Sequence, residues 1–177
     1  MKKYELTAEF IEKWGKKLFR IKALISFGNV EAGEFGGYIE KEDNLAQDGN
    51  AWVYGNAWVC GNARVSDNAW VYGNAWVCGN AEVYGNARVC GDAEVSGNAD
   101  YLLIGRIGSR FSFTTFFKNK DKGITVSCGC FLGTIAEFRA KVIDTHGNNK
   151  HAKMYNLAAD MAELQIFGEN QEDENEN

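Results

Sequence analysis

From Gly49 onward the chain repeats every six residues: GNAWVY, GNAWVC, GNARVS, DNAWVY, GNAWVC, GNAEVY, GNARVC, GDAEVS and GNADYL, ending at Leu102. A repeat this short cannot enclose a core alone, so it must stack on copies of itself. A longer period lies over the first. Residues 51–68 and 69–86 agree at 15 of 18 positions, so three hexads make one structural unit and the run makes three units. Within a hexad, Ala-x-Val alternates at the period of a strand. Ala51 and Val53 are expected to point inward, Trp52 and Tyr54 outward. Gly and Asn tolerate the positive φ that tight corners often need. Three strands and three corners close a triangle, and the next eighteen residues stack on it about 4.8 Å away. Asn50, Asn56, Asn62 and their equivalents, with Asp92 in one place, would form ladders along the corners.

The stretch Val53-Tyr-Gly-Asn-Ala57-Trp58 resembles the hexapeptide-repeat family at its aliphatic and small positions and departs from it with Tyr or Cys at the second. That resemblance implies a left-handed parallel β-helix. The expected fold is mainly β: a short left-handed parallel β-helix with three hexads per coil over residues 37–102. An N-terminal helix and strand cap over 1–36 precedes it, and a small α+β module over 103–167 follows, with a disordered acidic tail at 168–177.

An eighteen-residue lap predicts which outward residues share a face. The first face carries Trp52, Trp70 and Arg88 beside Tyr54, Tyr72 and Cys90. The second carries Trp58, Trp76 and Glu94 beside Cys60, Cys78 and Ser96. The third carries Arg64, Glu82 and Asp100 beside Ser66, Tyr84 and Leu102. Broad apolar patches are rarely left open on a monomer, and each Trp or Tyr offers roughly 150–250 Å² to bury. The aromatic faces are therefore expected to be covered by the chain's own ends or by other subunits of a homo-oligomer, dimer or trimer. Ladders that merely stiffen the sheet are the third reading.

In the N-terminal segment, Leu6, Phe10, Ile11, Trp14 and Leu18 fall at helical spacing behind a candidate N-cap at Thr7. Residues 18–27 read as a strand and residues 33–37 as a flexible turn. In residues 37–48, Ile39 and Leu45 hold the position later taken by Ala, and the polar Lys41 and Gln47 replace Val, as suits a terminal coil. The run LFRIKALISFGNVEAGEFGGYIEKEDNLAQDGNAWVYGNA resembles the YdcK-type hexapeptide-repeat proteins of bacteriophages and prophages over roughly residues 17–100. Some of those proteins carry acyltransferase-like labels, and the resemblance brings no catalytic residue. After the repeat, Leu103–Ile107, Phe111–Phe117 and Ile124–Phe131 read as strands, with a hairpin turn at residues 119–123. Thr134 and Glu137 form a capping box for a helix to about Thr145, stopped by Gly147. A last helix spans residues 150–167, with Tyr155, Ala158, Ala159, Ala162 and Ile166 on one face.

The net charge of −5 is segregated, since residues 169–177 hold five acids and no base and the remainder sums to zero. The N-terminus lacks the apolar core of a secretion signal, and no run approaches the ~20 apolar residues needed to cross a bilayer. The five cysteines are expected to be reduced thiols in a cytoplasm, that of a bacterial host cell. Cys128, Cys130, His146 and His151 have the residue types of a zinc site, but a single residue between the cysteines is too few for the usual motif. One of these cysteines paired with His146 as a nucleophile is a second reading. Small cysteines packed beneath a helix are the simpler reading. Arg106 and Arg110, with Lys118, Lys120 and Lys122, interleave with Phe111, Phe113, Phe116 and Phe117, as in nucleotide or nucleic-acid sites.

These features point to a non-catalytic binding or assembly protein without a cofactor. In the phage or prophage setting that the resemblance implies, its rigid β-helix would dock a host or phage macromolecule and could blunt a host defence. The expected binding residues are Trp52, Trp70, Tyr54, Tyr72, Trp58 and Trp76 on the faces, or Arg106 and Arg110 in the module. A protein partner is expected and no membrane. The hexapeptide-repeat resemblance also implies an alternative: a trimeric acyltransferase using acyl-CoA, with a catalytic His near a subunit interface. The repeat here contains no His.

Overall fold

Each hexad folds as a two-residue strand followed by a corner. In the computed structural model, which describes residues 2–168, the inward Ala and Val of eight consecutive hexads, from Ala51 to Val95, are all buried. The expected tail at 168–177 lies outside the described residues except for Gly168. Seven of the corner glycines take φ between 62° and 77°. Asp67, which replaces Gly in the DNAWVY hexad, adopts φ 60°, and its carboxylate accepts the Gly85 N–H at 2.9 Å. A short polar side chain is what makes that conformation accessible to a non-glycine residue. Side-chain amides link the corners one lap apart: Asn50 donates to Asn68, Asn62 to Asn80, and Asn74 to Asp92.

Two compact units make up the chain, Met1–Asn98 and Ala99–Asn177. The first is the β-solenoid with its N-terminal segment. Strands β1 (Tyr4–Lys13), β2 (Lys16–Ala23) and β3 (Phe35–Ile39) precede the rungs. The rungs are β4 (Trp52–Val53), β5 (Trp58–Val59), β6 (Arg64–Val65), β7 (Trp70–Val71), β8 (Trp76–Val77), β9 (Glu82–Val83), β10 (Arg88–Val89) and β11 (Glu94–Val95). Parallel pairing aligns Trp52 with Trp70 and Arg88 on the first face, Trp58 with Trp76 and Glu94 on the second, and Arg64 with Glu82 on the third. The eighteen-residue lap therefore holds. The ninth hexad makes no rung: Asn98–Asp100 is a short 3-10 turn and Tyr101 begins a different sheet. Tyr101 stands where every other hexad has Val, and a phenol ring is too large for so narrow an interior. Asp100 and Leu102 accordingly do not extend the third face.

The expected N-terminal helix is instead a β-hairpin. β1 and β2 pair antiparallel around a two-residue turn in which Trp14 and Gly15 take φ 51° and 73°. Two successive positive-φ residues are the hairpin turn that matches strand twist. A register shift between Leu6 and Phe10 breaks the two-residue alternation of β1. The apolar residues thereby fall into a pattern that mimics helical spacing. The supposed flexible turn at 33–37 also belongs largely to a strand. β3 pairs with β2 on one side and runs parallel to β5 on the other, giving the sheet order β1-β2-β3-β5-β8-β11. Gly36 and Gly37 permit this close approach. A Cβ on Gly36 would lie 2.6 Å from the Val53 carbonyl, and one on Gly37 would collide with that of Ala57.

Ile39 aligns with Val59, and Leu45 with Val65. They occupy the Val position, not the Ala position expected from a constant sixfold phase, because this first lap is two residues longer than the rest. Asn44 closes it: fully buried, its amide donates to the Gly61 and Ala63 carbonyls and accepts the Lys41 N–H.

The second unit is an antiparallel sheet of β12 (Tyr101–Ile107), β13 (Ser112–Lys118), β14 (Ile124–Cys128) and β15 (Phe131–Thr134), in that order. Helices α1 (Ile135–His146) and α2 (Lys150–Phe167) follow. Thr134 and Glu137 form the capping box, and Gly147 is the C-cap. The core joins Phe116, Ile124 and Val126 of the sheet to Phe138, Val142, Tyr155, Ala159, Ala162 and Ile166 of the helices. The strand expected at 124–131 is two strands, since Cys128 pairs with Phe131 across a turn at Gly129.

Candidate functional site

Coverage separates the two aromatic faces. On the second face, Trp58 and Trp76 stack with centroids 5.6 Å apart, and Trp14 from the hairpin turn stands edge-on to both at 4.9 and 5.0 Å. Leu18, Ile11 and Tyr38 complete the cover. Trp58 is buried and so is unavailable to a partner, contrary to its place among the expected binding residues; Trp76 keeps partial exposure beneath Trp14. Cys60 and Cys78 form a disulfide, which corrects the reading of all five cysteines as free thiols. The cause is the lap itself: eighteen residues place their Cα atoms 4.7 Å apart, within the range a disulfide spans.

On the first face Trp52 is fully buried, and its indole N–H has no hydrogen-bond partner. Tyr4 and Phe27 meet it edge-on at 6.2 and 5.4 Å. It is a core residue, and the expectation that it binds a partner is corrected. Lys3 lies within this cover: its Nζ donates to the Asp48 and Ala51 carbonyls and sits 5.0 Å from the Phe27 ring centre. Burial pulls that ammonium down to about 8, against a smaller opposing pull from Asp48.

The cover ends after the first rung. Residues 27–30 close a tight turn, Phe27 bridging to Val30, with Gly28 close to Asn50. Beyond it a groove of about 510 Å³ opens along the same face, lined by Gly28, Asn29, Asn50, Tyr54, Asn68, Trp70, Tyr72, Asn86 and Arg88. Tyr54 is 43% exposed, and Trp70 and Tyr72 are half-buried. Cys90 at the end of this ladder is buried, and burial raises its thiol pKa despite a hydrogen bond with Tyr72. The structure thus brings three of the expected residues, Tyr54, Trp70 and Tyr72, into one concavity. It adds Arg88 and the amides of Asn50, Asn68 and Asn86. The lap already aligned Arg88 with Trp70, and its place at the open end was the available signal. Nothing in the sequence announced the wall at Gly28 and Asn29.

The candidates of the second unit are arranged differently. Cys128 ends β14 while Cys130 lies exposed in the following turn, so they do not share one strand face as expected. Thr114 Oγ1 donates to Cys128 Sγ at 3.2 Å, and Tyr155 is hydrogen-bonded to the same sulfur. Burial first, and then Cys128, push the Tyr155 phenol up to about 12. His146 stacks on Tyr155 and lies 5.8 Å from the His151 ring. Tyr155 therefore lies against both Cys128 and His146. Among the described residues no three His, Cys, Asp or Glu side chains are placed to hold a metal ion. Arg106 and Arg110 are exposed, but Phe116 and Phe117 are buried and cannot stack on a base. Lys118 pairs with Asp100 at 3.3 Å.

These rungs, corners and laps define a three-sided β-solenoid with a groove along one side. The family described as YdcK Beta solenoid repeat matches residues 59–73 and 63–79. A protein of Escherichia coli (strain K12) named "Uncharacterized acetyltransferase YdcK" is 42% identical over 62 residues. That similarity covers 30% of this chain and 19% of the E. coli protein's length. Among the described residues no helix is long and apolar enough to cross a membrane.

Proposed function

We propose that this chain is a non-catalytic binding protein whose solenoid docks a protein partner in the groove of its first face. The observation that carries this reading is the change of coverage along one ladder. Trp52 is sealed, while Trp70, one rung further, opens into the groove with Tyr54, Tyr72 and Arg88. Aromatic side chains and Arg are the residues that most often dominate binding at protein interfaces. They stand here on a rigid stack whose rungs repeat at strand spacing, with asparagine amides beside them to fix orientation. In the phage or prophage setting suggested by the sequence resemblance, the partner would be a host or phage macromolecule.

The test is affinity capture from a bacterial host lysate with the wild-type chain and a Trp70→Ala/Tyr72→Ala variant. Loss of such anchors typically costs about 2 kcal/mol or more, roughly a thirtyfold weakening, and the variant should lose the captured protein while keeping its circular dichroism. Equal capture by both would refute the groove as the docking site.

A second reading, an acyltransferase using acyl-CoA, is favoured by the name of the E. coli relative. Against it, both histidines of the chain lie in residues 103–167, outside the repeat. Calorimetric titration with acetyl-CoA separates the two readings: saturable binding supports the enzyme, and its lack supports the platform.

A further inference from the structure

Helix α2 carries two apolar faces. One, from Ala152 through Tyr155, Ala159 and Ala162 to Ile166, is buried in the second unit. The other consists of Met154, Leu157, Met161 and Leu164, exposed by 38, 62, 52 and 72%. Their spacing of three, four and three residues is that of an a/d heptad seam. At 100° per residue the four fall within a sector of about 80°, on the side of the helix away from the buried face. No charged residue interrupts the stripe. Contiguous apolar surface of this kind marks an interaction site.

We propose that the chain forms a two-fold dimer in which the Met154–Leu157–Met161–Leu164 stripes of two copies pack antiparallel. The seam is self-complementary in that sense. Met154 faces the partner's Leu164, and Leu157 faces the partner's Met161, so each contact occurs twice, as an isologous interface requires. Charge selects the same direction. Lys150 and Lys153 lie at the N-terminal end of the helix, and Asp160 and Glu163 lie toward its C-terminal end. Antiparallel pairing sets the basic end of one helix toward the acidic end of the other, whereas parallel pairing would set like charges together. The Asp160 and Glu163 carboxylates share the one guanidinium of Arg139 of α1, at 2.7 and 2.8 Å, so that end of the helix stays net acidic. The stripe exposes roughly 400 Å² per copy, about half of what a standard interface buries on each side. The dimer is therefore expected to be of micromolar strength.

Sedimentation velocity of the full chain under reducing conditions, from about 1 to about 100 µM, should show a concentration-dependent dimer. Leu157→Lys and Met161→Glu should each be monomeric alone with unchanged circular dichroism, and mixing them should restore a heterodimer because antiparallel packing opposes the two positions. Should either variant fail to fold, Lys150→Glu/Lys153→Glu changes only exposed side chains. It should weaken association by about tenfold and diminish its salt dependence. A wild-type monomer at the highest concentration would overturn the proposal. So would a dimer indifferent to Leu157→Lys, or one indifferent to the lysine replacements.

Discussion

The first and second faces of the solenoid are written in nearly the same residues and end in different states. Trp52 and Trp70 occupy the same rung positions as Trp58 and Trp76, yet the second pair is stacked beneath Trp14 and Leu18 while the first pair is divided between a sealed core and an open groove. The repeat sets the rungs and the spacing of the ladders. What stands over each ladder is decided by the non-repetitive residues 2–36. The hairpin turn at Trp14 spans two rungs of the second face, whereas Tyr4 and Phe27 reach only the first rung of the other. The open surface in such a fold is the part of a ladder that its flank fails to cover.

The largest way to break this comparison is to truncate the sealed indole. Trp52→Ala removes a fully buried side chain and should cost about 3–5 kcal/mol. Trp70→Ala, at the same position one lap later but half-buried, should cost about 1 kcal/mol. Urea unfolding of both variants checks the contrast, and equal costs would deny that the two rungs differ in coverage. Next in size is the Cys60–Cys78 disulfide of the second face. Closing an eighteen-residue loop is worth about 3 kcal/mol on the chain-entropy account. Cys60→Ser/Cys78→Ser should lower stability by that order, and reductant should then have no further effect. A double variant as stable as the oxidised protein would show that the second face owes its order to aromatic packing alone.

Much of this could be read before any coordinates. The lap of eighteen predicted every rung from Trp52 to Val95 and both tryptophan pairs, because Ala and Val at alternate positions leave no other inward set. The capping box at Thr134 and Glu137 and the buried face of α2 were equally legible, being short-range patterns with a local cause. Three things were not. The β1 hairpin was hidden by a bulge that gives apolar residues a helical spacing. The first lap was mis-phased because two extra residues leave no trace in the hexad count. The groove depends on where residues 27–30 come to rest, which is a tertiary fact. The disulfide was within reach, since Cys60 and Cys78 were already aligned on one face, but the expectation of a reducing compartment spoke for free thiols.

Trp14 sharpens the comparison on a smaller scale. It is 67% exposed yet edge-on to two stacked rings. Aromatic pairs are worth about 0.5–1.5 kcal/mol beyond their buried area, so Trp14→Ala should destabilise the chain by about 1.5 kcal/mol. It should also expose Trp58 and Trp76 to water. A red-shifted tryptophan emission in the folded variant would report that opening, and an unshifted spectrum would mean that Leu18 and Tyr38 suffice as cover.

The smallest effect probes the cover of the first face through Lys3, whose ammonium is buried against Phe27 and two carbonyls. Burial lowers it from 10.5 to about 8 in the folded chain, so between these values the unfolded chain binds more protons than the folded one. Stability must then rise with pH across that window, by about 1 kcal/mol between pH 8 and 9. The opposite trend sets in above about pH 10, where the unfolded phenol of Tyr4 ionises but the folded one is held protonated, chiefly by burial and then by Glu42. Urea midpoints measured from pH 7 to 10 should therefore climb and then level off. Lys3→Met should abolish the climb between pH 8 and 9, whatever its effect at neutral pH. A wild-type profile already flat there would mean that water reaches Lys3, and that the first face is less tightly sealed over Trp52 than the second is over Trp58.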